Sequence, residues 1–260
     1  MSTAPGRRWL PESKQEATPA AFAACEGGGP LPAPEGNRNC VFRDRAEAGR
    51  LLAKRLARYA NQPGVLILAL PRGGVVVGFE IARALQAPLD IFIVRKLGVP
   101  GQEELALGAI ASGGVRVLNA EIVRLLNISE SEIEAIAAQE QRELERRERL
   151  YRGERPAPEV RGRTVIVVDD GIATGMTTVA AITALRKQQP ARLIVAVPVA
   201  PSSTCQELSG QAEEVVCLLT PELFLAISQW YQEFPQTSDE EVRELLDRAL
   251  REKSPASREP

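Results

Sequence analysis

Two adjacent aspartates and a loop of small, hydroxyl-bearing residues form the part of this sequence best suited to chemistry. Asp169 and Asp170 follow a short apolar run, and the loop Gly171 to Thr178 comes before a helical run that begins at Val179. Gly175 lets the backbone come close to a ligand. A strand, a tight loop and a helix N-terminus gather free backbone N–H groups at one place, which suits an anion. The segment therefore predicts an anion site with two carboxylates beside it.

The two carboxylates limit what the ligand can be. Like charges repel, so Asp169 and Asp170 cannot serve a phosphate directly. They suit the O–H donors of a ribose diol, or a Mg²⁺ ion that the phosphate also binds. An ordinary strand-to-helix turn with two solvated acids is the alternative, and a lone Asp-Asp pair would favour it. The full ordered pattern is far more specific.

The segment Val165 to Thr178 resembles the phosphoribosyl-pyrophosphate motif of the type I phosphoribosyltransferase family. It has, in order, four apolar residues, two acids, a short loop, a Thr-Gly pair and a further hydroxyl residue. The resemblance implies that the loop cradles the sugar phosphate and that Asp169 and Asp170 hold the diol. It also implies Mg²⁺ as the cofactor, with Asp169 and Asp170 as its ligands, and phosphoribosyl pyrophosphate as a partner.

A second loop with two glycines follows the predicted strand Val65 to Leu70. We predict that Pro71-Arg72-Gly73-Gly74 clamps the leaving pyrophosphate, because its glycines bare backbone N–H groups and Arg72 offers a bidentate phosphate donor. In the resembled family the equivalent loop binds pyrophosphate, often with an unusual peptide conformation. A bare turn with a surface arginine is the alternative.

Two cations end the next predicted strand, Leu89 to Val94. Arg95 and Lys96 are predicted to lie beside the leaving group, and a strand end that simply reaches solvent is the alternative. The segment Leu97 to Glu104 matches in place the mobile loop that closes over the site in this family. Such closure would keep water from the activated sugar.

These segments together give the predicted site. The residues predicted to bind phosphoribosyl pyrophosphate are Pro71, Arg72, Gly73, Gly74, Asp169, Asp170, Gly171, Ile172, Ala173, Thr174, Gly175, Met176 and Thr177. The side chains predicted to act in catalysis are Asp169, Asp170, Arg72, Arg95 and Lys96. A covalent nucleophile is not needed, because the nitrogen of a base can attack the anomeric carbon while cations stabilise the departing pyrophosphate.

An aromatic segment, Phe224 to Phe234, resembles the C-terminal hood of purine-salvage phosphoribosyltransferases. In those enzymes an aromatic ring stacks on the base, so Trp230 and Tyr231 are predicted base-binding residues. The sequence departs from that pattern, with Trp230 where an acid precedes the tyrosine, and Val197-Pro198-Val199 lacks the lysine used on the base. An aromatic core cluster is the alternative, and the acceptor base stays open.

Composition narrows the chemistry and the compartment. Histidine is absent, which excludes Ser-His-Asp and Cys-His catalysis and His-ligated metals. A formal net charge of −2 offers no broad basic field, so we expect no nucleic-acid partner. Apolar runs are too short for a membrane span, and no secretory signal is recognisable. The four cysteines lack metal-ligand spacing and are interpreted as reduced thiols, as in a cytoplasmic protein.

The elements that must position these loops alternate along the chain. Strands alternating with helices predict an α/β fold, doubly wound around a mainly parallel sheet, with a small hood and a β-hairpin insertion at Ser112-Gly113-Gly114. The phosphoribosyltransferase-like domain is predicted over residues 41–252. Residues 1–40, rich in Pro, Gly, Ala and Ser, are predicted to be a disordered extension, and residues 253–260 to fray.

Helix signals complete the outline. Asp44 is a predicted N-cap, Val75 to Leu85 is a predicted helix, and Asn127 to Tyr151 a long one with Ser129 and Glu132 as its capping box. The charged second half of that long helix, QRELERRERLYR, is predicted to be a solvated face because its charges alternate in sign. A functional basic patch is the alternative.

The motifs PRGG, RKLGVPG, ELALGAI and DDGIATG together resemble uncharacterised bacterial phosphoribosyltransferase-domain proteins over roughly Phe42 to Leu250. The resemblance implies a homodimeric enzyme of nucleotide salvage and nucleoside metabolism. It would transfer a phosphoribosyl group, with Mg²⁺, to a purine or pyrimidine base and release pyrophosphate. A protein of the same fold that senses phosphoribosyl pyrophosphate without turnover is the alternative function.

Overall fold

The central sheet consists of five parallel strands, and a smaller antiparallel sheet lies beside it. The computed structural model describes residues 42–99 and 102–253, without the side chains of residues 103, 104 and 253. The strands of the described part are β1 Val65–Ala69, β2 Leu89–Ile91, β3 Val94–Val99, β4 Gln102–Ala111, β5 Val115–Leu118, β6 Thr164–Val168, β7 Arg192–Val199 and β8 Glu214–Leu219. The central sheet has the order β2-β1-β6-β7-β8, and the smaller one the order β3-β4-β5.

Helices cover both faces of the central sheet. They are α1 Arg45–Arg55, α2 Gly73–Leu85, α3 Ala120–Leu125, α4 Glu130–Arg152, α5 Met176–Lys187, α6 Ser202–Ser209 and α7 Asp239–Lys253. Successive strand side chains point to opposite faces. Ile67 and Ile166 therefore pack with α1, α2 and α7, whereas Leu66 and Val165 pack with α5 and α6. This burial on both faces explains the continuous apolar runs of the strands.

The predicted fold class is confirmed. The central sheet is parallel throughout, and β4 and β5 form the predicted antiparallel hairpin around Ser112-Gly113-Gly114. The hood contains a short 3₁₀ helix, Ile227–Trp230, and backbone hydrogen bonds join it to the start of the domain at Phe42. None of the helices within the described ranges has the length and apolar character needed to cross a membrane.

The helix caps follow the sequence closely. The Glu47 N–H donates to the Asp44 side chain at 2.7 Å, and Ser129 and Glu132 form the predicted capping box of α4. The short helix α3, capped by Asn119, was not predicted. Helix α7 ends at Lys253, and residues 254–260, where fraying is predicted, lie outside the described residues. Residues 1–40 lie outside the described residues.

The segment Leu97 to Glu104 is not a loop in the described residues, and that prediction was wrong. Strands β3 and β4 pair with each other, and Leu97 and Val99 are buried. Glycine and proline in the segment concealed the alternation of buried residues that marks a strand. Residues 100–101, between the two strands, lie outside the described part.

The interpretation of all four cysteines as reduced thiols was also wrong. Cys205 of α6 and Cys217 of β8 form a disulfide that ties the helix to the edge strand of the central sheet. Their spacing in the sequence gives no sign of this contact, because it depends on how α6 packs on β8. Cys25 and Cys40 lie outside the described residues.

Candidate active site

The glycine loop after β1 lies directly against the two acids after β6. Both loops leave the carboxyl ends of neighbouring parallel strands. A Cβ atom on Gly73 would lie 1.9 Å from Oδ2 of Asp170, and one on Gly74 would lie 2.9 Å from Cα of Asp169. A side chain fits at neither position. The two predicted ligand loops therefore form one site, and their close approach accounts for both glycines.

The glycine loop is shorter than predicted, because α2 already begins at Gly73. The peptide bond between Pro71 and Arg72 is cis, which is an unusual conformation of the kind that the resemblance implies for this loop. Arg72 precedes the helix, and its Nη1 lies 3.7 Å from a carboxylate oxygen of Asp239. The Arg72 side chain thus remains about one-third exposed beside the site.

Asp170 is held from two directions. Its Oδ2 accepts a hydrogen bond of 2.6 Å from Nε of Arg45, and its backbone carbonyl accepts one of 2.6 Å from the Tyr231 hydroxyl. Arg45 in turn donates to the Pro235 carbonyl at 2.7 Å and lies 3.7 Å from the centre of the Phe234 ring. Helix α1 and the hood therefore both fix the second acid, and Arg45 gives it a charged partner.

Arg45 contacts the candidate site, and sequence reasoning missed it. It lies one position after the cap Asp44, where an arginine is typical of a solvated helix surface. The structure instead buries it, with only 8% of the residue exposed. Its partner Asp170 is 125 positions away in the sequence, so no local signal could have found the pair.

Asp169 has a different environment from Asp170. Its Oδ1 accepts a hydrogen bond of 2.8 Å from the backbone N–H of Asp170. Burial and the neighbouring Asp170 carboxylate raise the pKa of Asp169 well above its ordinary value. Hydroxyl donors or a cation at this carboxylate would favour its ionised form.

The two acids can hold a metal ion only with help from a ligand. In residues 42–99 and 102–253, no three acidic, cysteine or histidine side chains converge into a metal site. Mg²⁺ usually keeps several waters and takes one or two carboxylates together with substrate phosphates. Asp169 and Asp170 fit that donor set, since they offer two adjacent carboxylates, of which Asp170 is paired with the guanidinium of Arg45.

The loop after the acids is hydrogen-bonded to the neighbouring β7 and α6, and two of its threonines are exposed to solvent. The Ile172 N–H donates to the Val199 carbonyl at 2.9 Å, and the Thr204 hydroxyl donates to the Ala173 carbonyl at 3.2 Å. Thr174 and Thr177 are exposed. These anchors leave the threonine hydroxyls able to face a ligand.

The helix that follows this loop begins earlier than predicted. It starts at Met176, so Met176 and Thr177 belong to its first turn. The cap is Gly175, whose φ of 74° is a left-handed conformation that favours glycine. Glycine has no side chain, so the first backbone N–H groups of α5 have no capping side chain bound to them and can donate to a ligand. This is the arrangement in which helix N-termini accept anions.

The two predicted base-binding residues, Trp230 and Tyr231, have different environments in the hood. Tyr231 is buried, with its ring centre 5.4 Å from that of Phe42 and 4.9 Å from that of Phe234. It forms part of an aromatic cluster and cannot offer a face to a base, so we correct its assignment. Trp230 is half-buried and stacked on Phe224, with an interplanar angle of 14°. Its indole N–H is buried without a hydrogen-bond partner among the described residues.

Arg95 and Lys96 lie on a strand of the smaller sheet. Arg95 lies within β3, and its guanidinium forms a 2.7 Å ion pair with Glu140 of α4. Lys96 follows it on the same strand and is exposed. The predicted position of both residues at the end of a parallel strand was wrong, since β2 already ends at Ile91.

Residues of helix α4 lie beside the two ligand loops, which the sequence did not predict. Arg147 and Tyr151 line a small cavity together with Pro71 of the glycine loop and Thr177 of α5. The Tyr151 hydroxyl donates to Asp239 at 2.5 Å. The alternating charges of this helix predicted a solvated face. Nothing in the sequence indicated that the helix would lie against the ligand loops.

Comparison with known proteins agrees with this geometry. The sequence profile of the phosphoribosyl transferase domain matches residues 43–229. Two Mycobacterium tuberculosis proteins, from strains CDC 1551 and H37Rv, carry a provisional phosphoribosyl transferase name. Each is 48% identical over 212 residues, which is 82% of this chain and 48% of theirs. The chain thus spans about half the length of the curated relatives it matches.

Two further relatives extend the comparison. An orotate phosphoribosyltransferase of Sphingopyxis alaskensis is 37% identical over 102 residues, covering 38% of this chain and 50% of that protein. The crystal structure of TT1426 from Thermus thermophilus matches with a TM-score of 0.71 at 42% identity, covering 79% of this chain and 97% of that one. The profile match spans both ligand loops and the sheet that carries them. The chain belongs to the phosphoribosyl transferase domain family.

Proposed function

We propose that this chain transfers a phosphoribosyl group from phosphoribosyl pyrophosphate to a nitrogenous base, with Mg²⁺, and releases pyrophosphate. The contact between Gly73-Gly74 and Asp169-Asp170 carries the proposal. It joins a loop suited to pyrophosphate to two acids suited to a diol. A ligand that carries both groups on one sugar would use both loops at once.

Each part of the site has a role in this reaction. The threonine hydroxyls and the first N–H groups of α5 bind the sugar phosphate. Asp169 accepts hydrogen bonds from the ribose hydroxyls, while Arg45 holds the Asp170 side chain in place. Arg72 leaves Asp239 to bind the pyrophosphate. Asp169 and Asp170 would hold Mg²⁺, which would supply further positive charge to stabilise the leaving group.

The reaction balances without a protein nucleophile. The bond from the anomeric carbon to the pyrophosphate oxygen breaks, and a bond from that carbon to a base nitrogen forms. The electron pair of the broken bond leaves with pyrophosphate, and the base gives up its N–H proton to solvent. Trp230 remains the candidate for contact with the base, because its half-buried ring lies in the hood beside the acids' loop.

The experiment is pyrophosphate release from phosphoribosyl pyrophosphate over a panel of purine and pyrimidine bases, with Mg²⁺ and with a chelator. Release that depends on one base supports transfer and names the acceptor. Equal release with every base and with none would indicate hydrolysis. Binding without release under all conditions would favour the sensing function of the same fold. No binding would contradict the proposed function.

We also propose, from the family resemblance, a homodimer that acts in the cytoplasm without membrane or nucleic-acid partners. Light scattering of the purified chain tests the dimer, and a monomer at micromolar concentration would contradict it. A reducing compartment keeps most cysteines as thiols, so the disulfide between Cys205 and Cys217 provides a test of the cytoplasmic proposal. Thiol labelling of the protein inside intact cells tests whether that bond is present there.

A further inference from the structure

A small cavity lies between the two ligand loops, and helix α4 forms one of its walls. Pro71 lines it from the glycine loop, Thr177 from the first turn of α5, and Arg147 and Tyr151 from α4. The four other lining residues are apolar and lie where β1 ends and the second sheet begins. A polar ligand in this cavity would therefore depend on few side chains.

Arg147 is the one charged side chain among the described residues that line the cavity. Its Nε donates to Oε1 of Glu143 at 2.8 Å. Glu143 also accepts two hydrogen bonds from Arg146, at 2.7 and 3.0 Å. One carboxylate thus faces two guanidinium groups. Arg147 can leave Glu143 without stranding that carboxylate, because Arg146 keeps both of its bonds.

A second guanidinium lies close to the same cavity. Arg72 adjoins Pro71, and its Nη1 lies 3.7 Å from Asp239, which accepts the Tyr151 hydroxyl hydrogen bond. The positive charges of Arg147 and Arg72 both act on Tyr151, where they oppose the burial that raises its pKa to about 12. Arg147 therefore shares the cavity with Tyr151, and Arg72 shares the Asp239 carboxylate with it.

We propose that Arg147 is a second pyrophosphate-binding residue, which turns from Glu143 into the cavity and binds the leaving group together with Arg72. The inference rests on the proposed function, since it assigns a residue to the donor's pyrophosphate. A guanidinium binds phosphate oxygens through two parallel hydrogen bonds, and two of them neutralise more of the departing charge than one. Helix α4 is then part of the active site and not only a solvated face.

Arg146 and Arg147 make a matched pair for the test. Both bind Glu143, both are on α4, and only Arg147 lines the cavity. Arg146→Gln and Arg147→Gln are compared by calorimetric titration with Mg²⁺-pyrophosphate, with phosphoribosyl pyrophosphate and with ribose 5-phosphate, which lacks the pyrophosphate. We expect Arg147→Gln to weaken binding of the two pyrophosphate ligands roughly 10- to 100-fold, as for a lost charge-assisted hydrogen bond. Binding of ribose 5-phosphate should not change.

The outcomes separate this inference from the proposed function. Wild-type protein that binds phosphoribosyl pyrophosphate, with Arg147→Gln no weaker than Arg146→Gln, would overturn the role of Arg147 and leave the function standing. Wild-type protein that binds no pyrophosphate ligand would overturn both. Equal losses for ribose 5-phosphate would show a structural effect and overturn the role as well. Arg147→Lys, which keeps the charge but not the two parallel bonds, should recover part of the affinity.

Discussion

Nε of Arg45 lies 2.6 Å from Oδ2 of Asp170, and both side chains are largely buried. This pair ties the first helix of the domain to the acid loop. Arg45→Met should leave a buried carboxylate without its partner and lower the free energy of unfolding by roughly 3–5 kcal/mol. Urea unfolding measures this loss. Arg43→Met, which removes an exposed pair with Asp44, is the control and should leave the stability nearly unchanged.

A double-mutant cycle isolates the Arg45–Asp170 pair. The double variant Arg45→Met/Asp170→Asn should lose much less unfolding free energy than the sum of the losses of the two single variants. The reason is that the double variant leaves no buried charge without a partner. Additive losses would contradict a direct interaction between the two side chains.

Gly73→Ala should abolish binding of phosphoribosyl pyrophosphate. The new Cβ would meet Oδ2 of Asp170 at 1.9 Å, so the glycine loop or the acid loop must move. Calorimetric titration of the folded variant measures the affinity. The control is Gly210→Ala, where the Cβ would meet its nearest neighbour, the Glu207 carbonyl oxygen, at an ordinary 3.5 Å. Wild-type affinity in Gly73→Ala would show that the two loops do not have to touch.

How much of this site the sequence predicts depends on how local each feature is. The acid pair, the glycine loop and the parallel strands all lie in short segments whose order alone carries the pattern. Arg45 and Arg147 lie on helices whose surfaces look solvated in sequence. The pairing of Arg45 with Asp170, and the position of Arg147 in a cavity with Pro71, depend on residues far along the chain. Tyr231, in contrast, is a residue to which the sequence assigned a ligand contact that its buried position does not fit. An aromatic residue in the hood suggests stacking on a base, whereas the fold uses its hydroxyl to hold the Asp170 carbonyl.

Asp169→Asn should stabilise the ligand-free protein at neutral pH and should abolish binding of phosphoribosyl pyrophosphate. Burial and Asp170 hold the pKa of Asp169 above its ordinary value of 3.8, so the folded state resists ionising a group that ionises freely in the unfolded chain. The carboxylate therefore destabilises the fold increasingly as pH rises from 3.8 toward the folded pKa. The variant should therefore be more stable than wild type at neutral pH, and this difference in stability should vanish below the ordinary aspartate pKa of 3.8.

Unfolding of Asp169→Asn and wild type across this pH range, without Mg²⁺ or ligand, measures the difference. Asp247→Asn, an exposed carboxylate paired with Arg155, is the control and should show little pH-dependent difference. A stability gap for Asp169→Asn that grows as pH falls would contradict the raised pKa.

Tyr231→Phe decides between a structural and a base-binding role for the hood tyrosine. The substitution keeps the ring but removes the hydroxyl that donates to the Asp170 carbonyl at 2.6 Å. A partly buried carbonyl left without its donor should lower the free energy of unfolding by about 1 kcal/mol. The KM for the acceptor base should stay within about twofold of wild type, because a buried ring cannot stack on it. Trp230→Leu is the comparison, since it removes the half-buried indole that remains the candidate for that contact. A larger rise in KM for Tyr231→Phe than for Trp230→Leu, with unchanged stability, would show that the tyrosine reaches the base after all.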